Sequence, residues 1–229
     1  MKLLNKAYGR PKPFRRSEPT DELVRTVLSQ NTNDRNSLAA FAVLKKNFQD
    51  WDALLKTNTH QIARLIKHAG LADIKAKRIR AALKEIKRRE GRISLRRLKS
   101  LSIENSLGYL RSLNGVGPKT AACVLLFSFG RPVMPVDTHI FRVAKRLGLI
   151  DKKIDIEEAQ EVLTDFTLRR GRLRRPSPEK TMNLIYEFHL GIIEHGRRTC
   201  KAHNLLCGTC VLYDLCRFKD KGHYKRTTR

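Results

Sequence analysis

The sequence predicts an all-α protein, and three features carry that expectation. Apolar residues recur at spacings of three and four along most of the chain, no stretch sustains the period-two alternation of a half-buried strand, and helix start and stop signals recur. With 229 residues, 41% of them hydrophobic, the chain is long enough for one large domain or two modest ones, each with its own core.

The first clear helix is expected after Pro19, with Thr20 as N-cap, Asp21 and Glu22 in the first turn where their charge complements the helix dipole, and Leu23, Val24, Val27 and Leu28 as its apolar stripe. Phe41, Leu44 and Phe48 mark a second helix. Further stripes lie at Leu54 and Leu55, at Ile62, Leu65 and Ile66, at Ile79, Leu83 and Ile86, and at Leu107 and Leu110. Such short helices imply a compact bundle. Between Lys75 and Lys99 basic residues dominate while Ile79, Ala82, Leu83 and Ile86 keep one apolar face, so the basic side is either solvated or turned to phosphate.

A helix starts at Pro118 and closes at Gly130. Pro132 and Pro135 then force an extended connection, a candidate interdomain crossing, before a helix from Asp137 to Leu147. Asp155 leads another helix with Glu157 and Glu158 in its first turn, and Met182 to Glu194 forms a last one ending at Gly196. Thr167 to Lys180 reads as an Arg-rich, Pro-containing loop, and Arg217 to Arg229 as a basic tail that orders only on DNA.

Charge narrows the partner. Lys and Arg number 48 against 22 Asp and Glu, a net charge of +26, and such self-repulsion favours a polyanion, with nucleic acid ahead of an anionic membrane surface. No apolar run approaches the ~20 residues of a membrane span, and Met1 to Arg16 is basic without a secretory apolar stretch, so a cytosolic, nucleoid-associated protein is expected.

Three segments carry chemistry. In Leu113-Asn114-Gly115-Val116-Gly117-Pro118-Lys119-Thr120-Ala121 the glycines suit a tight hairpin and Pro118 suits the first helical position, so backbone N–H groups at Gly115, Val116, Gly117 and Thr120 are placed to grip a DNA phosphate. A nucleotide-binding P-loop is excluded, because that motif needs Gly immediately before Lys-Thr and again five residues earlier, where this chain has Pro118 and Leu113. Lys119 falls in the first helical turn, where a cation opposes the dipole; it is either a phosphate-touching surface lysine or an amine whose pKa is depressed for Schiff-base chemistry.

In Val136-Asp137-Thr138-His139-Ile140 the carboxylate of Asp137 is placed to cap the next helix through the N–H of His139 or Ile140. It is equally suited to face a developing oxocarbenium ion, and the two roles are compatible. Cys200, Cys207, Cys210 and Cys216 supply four thiolates within seventeen residues, a set suited to tetrahedral zinc or to a [4Fe–4S] cubane. Cys123, inside an apolar helix, reads as a small buried side chain.

Leu-Asn-Gly-Val-Gly-Pro-Lys-Thr-Ala, then Val-Asp-Thr-His-Ile-Phe-Arg-Val, then His-Gly-Arg-Arg-Thr-Cys with its cysteine spacing resemble the endonuclease III family, the iron–sulfur helix-hairpin-helix DNA glycosylases with AP-lyase activity. The likeness runs from about Thr20 to Cys216. It implies two helical domains, a barrel over residues 20–130 and a cluster domain from residues 1–19 and 131–229, with DNA across the cleft between them. It implies that Lys119 is the Schiff-base lysine, Asp137 the catalytic aspartate, and the four cysteines the [4Fe–4S] ligands.

In that family the damaged nucleotide is flipped out of double-stranded DNA and side chains fill the gap. Asn31 and Leu71 stand at the matching positions, Leu71 having core packing as its alternative reading. The resemblance thus implies a monomeric enzyme acting on duplexes with damaged bases, chiefly oxidised pyrimidines, or abasic sites. The sequence departs from the family at Asn31 in place of Gln, Asn114 in place of Pro, Pro118 in place of Arg and the Arg-rich segment after Thr167, which leaves base preference open. The competing readings are a uracil or thymine mismatch glycosylase and a non-catalytic DNA-binding module with structural zinc.

Overall fold

The computed structural model describes residues 1–170 and 177–224, and every regular element among them is helical. The middle of the Arg-rich segment, 171–176, and the end of the basic tail, 225–229, lie outside the described residues. The chain divides into two compact units, Arg16–Arg131 and Met1–Arg15 with Pro132–Arg229.

The Arg16–Arg131 unit holds seven α-helices: α2 (Pro19–Ser29), α3 (Asp34–Asn47), α4 (Trp51–Lys56), α5 (Thr59–Leu65), α6 (Ala72–Glu90), α7 (Ile103–Arg111) and α8 (Pro118–Phe129). The other contains α1 (Lys2–Tyr8), α9 (Thr138–Leu147), α10 (Ile156–Arg170) and α11 (Pro178–Arg198). The stripes expected between Leu23 and Leu110 fall on α2 to α7, except that Phe48 and Ile66 are the residues just past the ends of α3 and α5.

Local chemistry sets the boundaries. Asp50, Asn58 and Ser102 cap α4, α5 and α7 by accepting N–H bonds three residues on, and Asn33 does so for α3. The start of α2 corrects the sequence reading. Its N-cap is Glu18, whose Oε2 accepts from the Asp21 N–H at 2.8 Å, Pro19 takes the first helical position, and Thr20 is buried inside the helix.

In the Arg16–Arg131 unit α8 is the buried centre: every residue from Thr120 to Leu126 is buried, so it is apolar on nearly all sides. α2, with Leu23, Val24, Val27 and Leu28 buried, packs against it, α7 lies alongside, and α6 packs against α2, α4 and α5. Lys75 departs from the expected basic surface: it is wholly buried.

In the other unit α11 packs against α1, α9 and α10. Gly196 does not end α11, as the sequence suggested. The helix continues to Arg198, and an added Cβ at Gly196 would lie 3.0 Å from His139 Cβ and 3.3 Å from Val143 Cγ2, so this glycine permits close approach of α9. The segment read as a loop from Thr167 to Lys180 is narrower, since Thr167 to Arg170 ends α10 and Pro178 begins α11. The tail retains structure at first, with a 3₁₀ turn at Lys219–His223.

Candidate active site and cysteine centre

The hairpin between α7 and α8 forms as its glycines require. Gly115 has φ +79°, a left-handed conformation that side chains resist, and a Cβ there would lie 2.6 Å from Arg78 Cδ. Gly117 is the N-cap of α8 and Pro118 follows at the first helical position, with no side chain capping the helix. A helix start of this kind presents its first-turn N–H groups to an anion. The side chains of Val116 and Thr120 are buried. The Val116 N–H donates to Leu113 O at 3.1 Å and closes the hairpin turn, so Val116 is not among the free donors expected from the sequence. Lys119 is the second residue of α8 and half-buried.

Two residues that sequence reasoning passed over brace this hairpin. Arg78 donates to Gln30 Oε1 at 2.8 Å, and Gln30 Nε2 donates to Gly115 O at 3.1 Å and to Thr120 Oγ1 at 3.4 Å. Gln30 precedes Asn31, so the same segment braces the hairpin and presents Asn31 to solvent. Asn31 and Leu71 have φ of 51° and 49°, and both are exposed. Leu71, at 51% exposure, is therefore not a core residue, which removes that alternative.

Asp137 sits at the end of an extended segment fixed by two bonds. Met134 N–H donates to Thr164 Oγ1 at 2.9 Å, and Pro135 O lies 2.9 Å from Nδ1 of buried His189. The Asp137 carboxylate caps α9, with Oδ1 accepting the Ile140 N–H at 2.8 Å. Its second oxygen stays outside that bond. Burial lowers the pKa of neighbouring His139, the cations Arg142 and Arg197 push the same way, and the Asp137 carboxylate opposes them.

Cys200, Cys207, Cys210 and Cys216 line one small cavity with His195, Thr199 and Arg146. Arg146 of α9 donates to Cys200 Sγ at 3.4 Å and to Lys201 O at 2.6 Å, and Arg142 donates to Cys200 O at 3.1 Å. His195 is 1% exposed; burial pushes its pKa down to about 4, and Tyr8 OH lies 2.8 Å from its Nδ1. Burial also raises the Cys207 thiol and pushes Cys210 up to about 11, with the neighbouring sulfurs adding to both shifts. Among the described residues, no three His, Cys, Asp or Glu side chains converge on a single ion position. Cys123 is buried in α8, as expected.

Residues 24–167 match the family described as HhH-GPD superfamily base excision DNA repair protein. The chain belongs to that family. Endonuclease III of Thermotoga maritima is 31% identical over 221 residues, which take in 95% of this chain and 93% of that protein. A longer Arabidopsis thaliana relative is 43% identical over 135 residues, 59% of this chain and 46% of its own length. A solved non-covalent complex of endonuclease III with DNA is similar at a TM-score of 0.75 and 25% identity, over 97% of this chain and 94% of that one. The resemblance read from the three motifs is thus upheld, and with it the all-α fold of a helix-hairpin-helix protein. No helix among the described residues is long and apolar enough to cross a membrane.

Proposed function

We propose that this chain is a base-excision DNA glycosylase with AP-lyase activity that works through a Schiff base on Lys119. Membership in a base excision repair family, with endonuclease III relatives over most of the chain, supports the enzyme class. The observation that carries the lysine assignment is its place at the uncapped start of α8, directly after a hairpin built around Gly115. A cation there opposes the dipole and weakens the helix, whereas an amine that must be neutral to attack gains from the same field.

In this reading the hairpin N–H groups hold a phosphate of duplex DNA, and Asn31 and Leu71 fill the gap left by a flipped nucleotide. The Lys119 amine bonds to C1′ as the glycosidic C1′–N bond breaks. Asp137 stabilises the positive charge that develops on the sugar and takes the proton released from the amine. The C1′–O4′ bond then breaks as O4′ takes up a proton, which opens the sugar ring and leaves an imine between C1′ and the lysine nitrogen, and loss of a proton from C2′ of that imine expels the 3′ phosphate by β-elimination.

The four cysteines suit a [4Fe–4S] cluster. The donor set is all sulfur, it surrounds one cavity, and the Arg146 guanidinium beside Cys200 favours an anionic centre. Bound there, the cluster would cross-link the end of α11 to the C-terminal turns and supply a one-electron redox centre.

The activity is tested on duplexes carrying thymine glycol, dihydrouracil, uracil opposite guanine, thymine opposite guanine or an abasic site, with base release and strand cleavage measured separately. Release of oxidised pyrimidines with coupled cleavage is expected. Base release confined to uracil or mismatched thymine, without cleavage, would replace this reading with the mismatch glycosylase.

A further inference from the structure

Lys75 of α6 is 1% exposed, and its Nζ donates to two backbone carbonyls, Leu28 O and Ala69 O, each at 2.7 Å. Burying an ammonium is unfavourable unless its donors are used, so this site is built around those bonds. Leu28 lies in the last turn of α2, three residues before Asn31. Ala69 ends the 3₁₀ turn Lys67–Ala69, two residues before Leu71. Lys75 also binds Leu71 directly, its own N–H donating to Leu71 O at 3.0 Å.

Asn31 and Leu71 are two of the three non-glycine residues with positive φ among the described residues. Such a conformation costs about 1–2 kcal/mol and persists only where the surroundings over-determine it. At both residues the chain is anchored within three positions by the same ammonium.

We infer that Lys75 is a positioning residue for base flipping: its ammonium ties the end of α2 to the turn before α6 and holds Asn31 and Leu71 in register to enter the duplex together. This rests on the reading that those two side chains fill the gap left by the flipped nucleotide. Arg78, three residues on in α6, extends the arrangement through Gln30 to the hairpin, so the early turns of one helix organise all three segments expected to meet DNA.

A lysine that only stabilised the unit would affect every activity alike, whereas a positioning residue acts only where a gap must be filled. The full chain is therefore compared as wild type, Lys75→Met, Leu71→Ala and the double variant. Borohydride trapping is measured on single-stranded DNA with an abasic site, where no gap exists. Base release is measured on a lesion duplex, and 2-aminopurine opposite the lesion reports insertion. Lys75→Met is expected to lose at least about tenfold in base release together with the fluorescence response, to stay within about twofold of wild type on the single strand, and to be changed little further by Leu71→Ala.

Equal losses on both substrates, or losses that multiply in the double variant, would overturn the inference. Should Lys75→Met fail to fold, Lys75→Gln, whose shorter amide cannot span both carbonyls, is tested alike; a duplex-only loss supports the inference and equal losses overturn it. Wild type that traps on neither strand form would instead remove the Schiff-base reading beneath it.

Discussion

Asp137→Asn and Asp137→Ala, made as a pair, separate the cap from the charge. Asn keeps an oxygen that can accept the Ile140 N–H now bound at 2.8 Å, and Asn and Asp are near equals as N-caps. What it loses is the charge at the helix start, about 0.5 kcal/mol at a half-exposed position. Ala loses the cap as well, about 1 kcal/mol more. With a melting shift of about 2–4 °C per kcal/mol for a chain of this size, Asp137→Asn should melt about 1–2 °C lower and Asp137→Ala about 3–6 °C lower. Base release should not follow that ranking. Both variants lack the negative charge that the proposed mechanism places against the sugar, so both should slow by about 10²–10³-fold, the range found when one preorganised electrostatic group is removed. Single-turnover base release, read well below both melting temperatures and beside calorimetry, gives the two series. Base release by Asp137→Asn at near the wild-type rate, or activity loss that tracks the melting loss, would refute an electrostatic role for the Asp137 carboxylate.

Three further outcomes are expected. The purified protein should be brown and contain iron, and Cys207→Ala or Cys210→Ala should lose the metal and destabilise the C-terminal region; a colourless, zinc-bearing, active protein would contradict this. Duplex binding should weaken steeply with salt, log K falling by about 0.9 per phosphate neutralised, as the +26 charge and a backbone-gripping hairpin require; a flat salt series would be inconsistent with both. Burial and nearby Arg78 lower the Lys75 pKa from 10.5 to about 8, so between those values the unfolded chain binds more protons than the folded one. This lysine therefore adds stability as pH rises from about 8 to 10.5, and the melting difference between wild type and Lys75→Met should change over that window; a constant difference would remove the effect.

Much of the fold was legible because its helices advertise themselves. The stripe Leu23, Val24, Val27 and Leu28, and the Pro118 to Gly130 limits of α8, follow from side-chain period and backbone preference alone. The Asp137 cap was legible for the same reason, since capping is local. α1 was not: its only buried residue is Leu4, and it is held by packing against α11, where an added Cβ at Gly191 would sit 3.0 Å from Met1 Cε and 3.4 Å from Leu4 Cδ1. The run of α11 past Gly196 depends likewise on a partner helix. Lys75 and Gln30 escaped because a lysine in a basic stretch and a glutamine in a polar turn carry no local mark of burial or bridging. Their roles come from carbonyls contributed by residues up to 85 positions away.

Whether Lys119 forms the covalent bond to DNA is tested most directly by borohydride added during reaction with an abasic duplex. Wild type should be reduced onto the DNA as a stable adduct. Lys119→Gln should bind the same duplex with nearly unchanged affinity, because the hairpin N–H groups remain, and should form none. An adduct with the Gln variant would place the nucleophile elsewhere, and no adduct from wild type on any substrate would contradict the lyase mechanism itself.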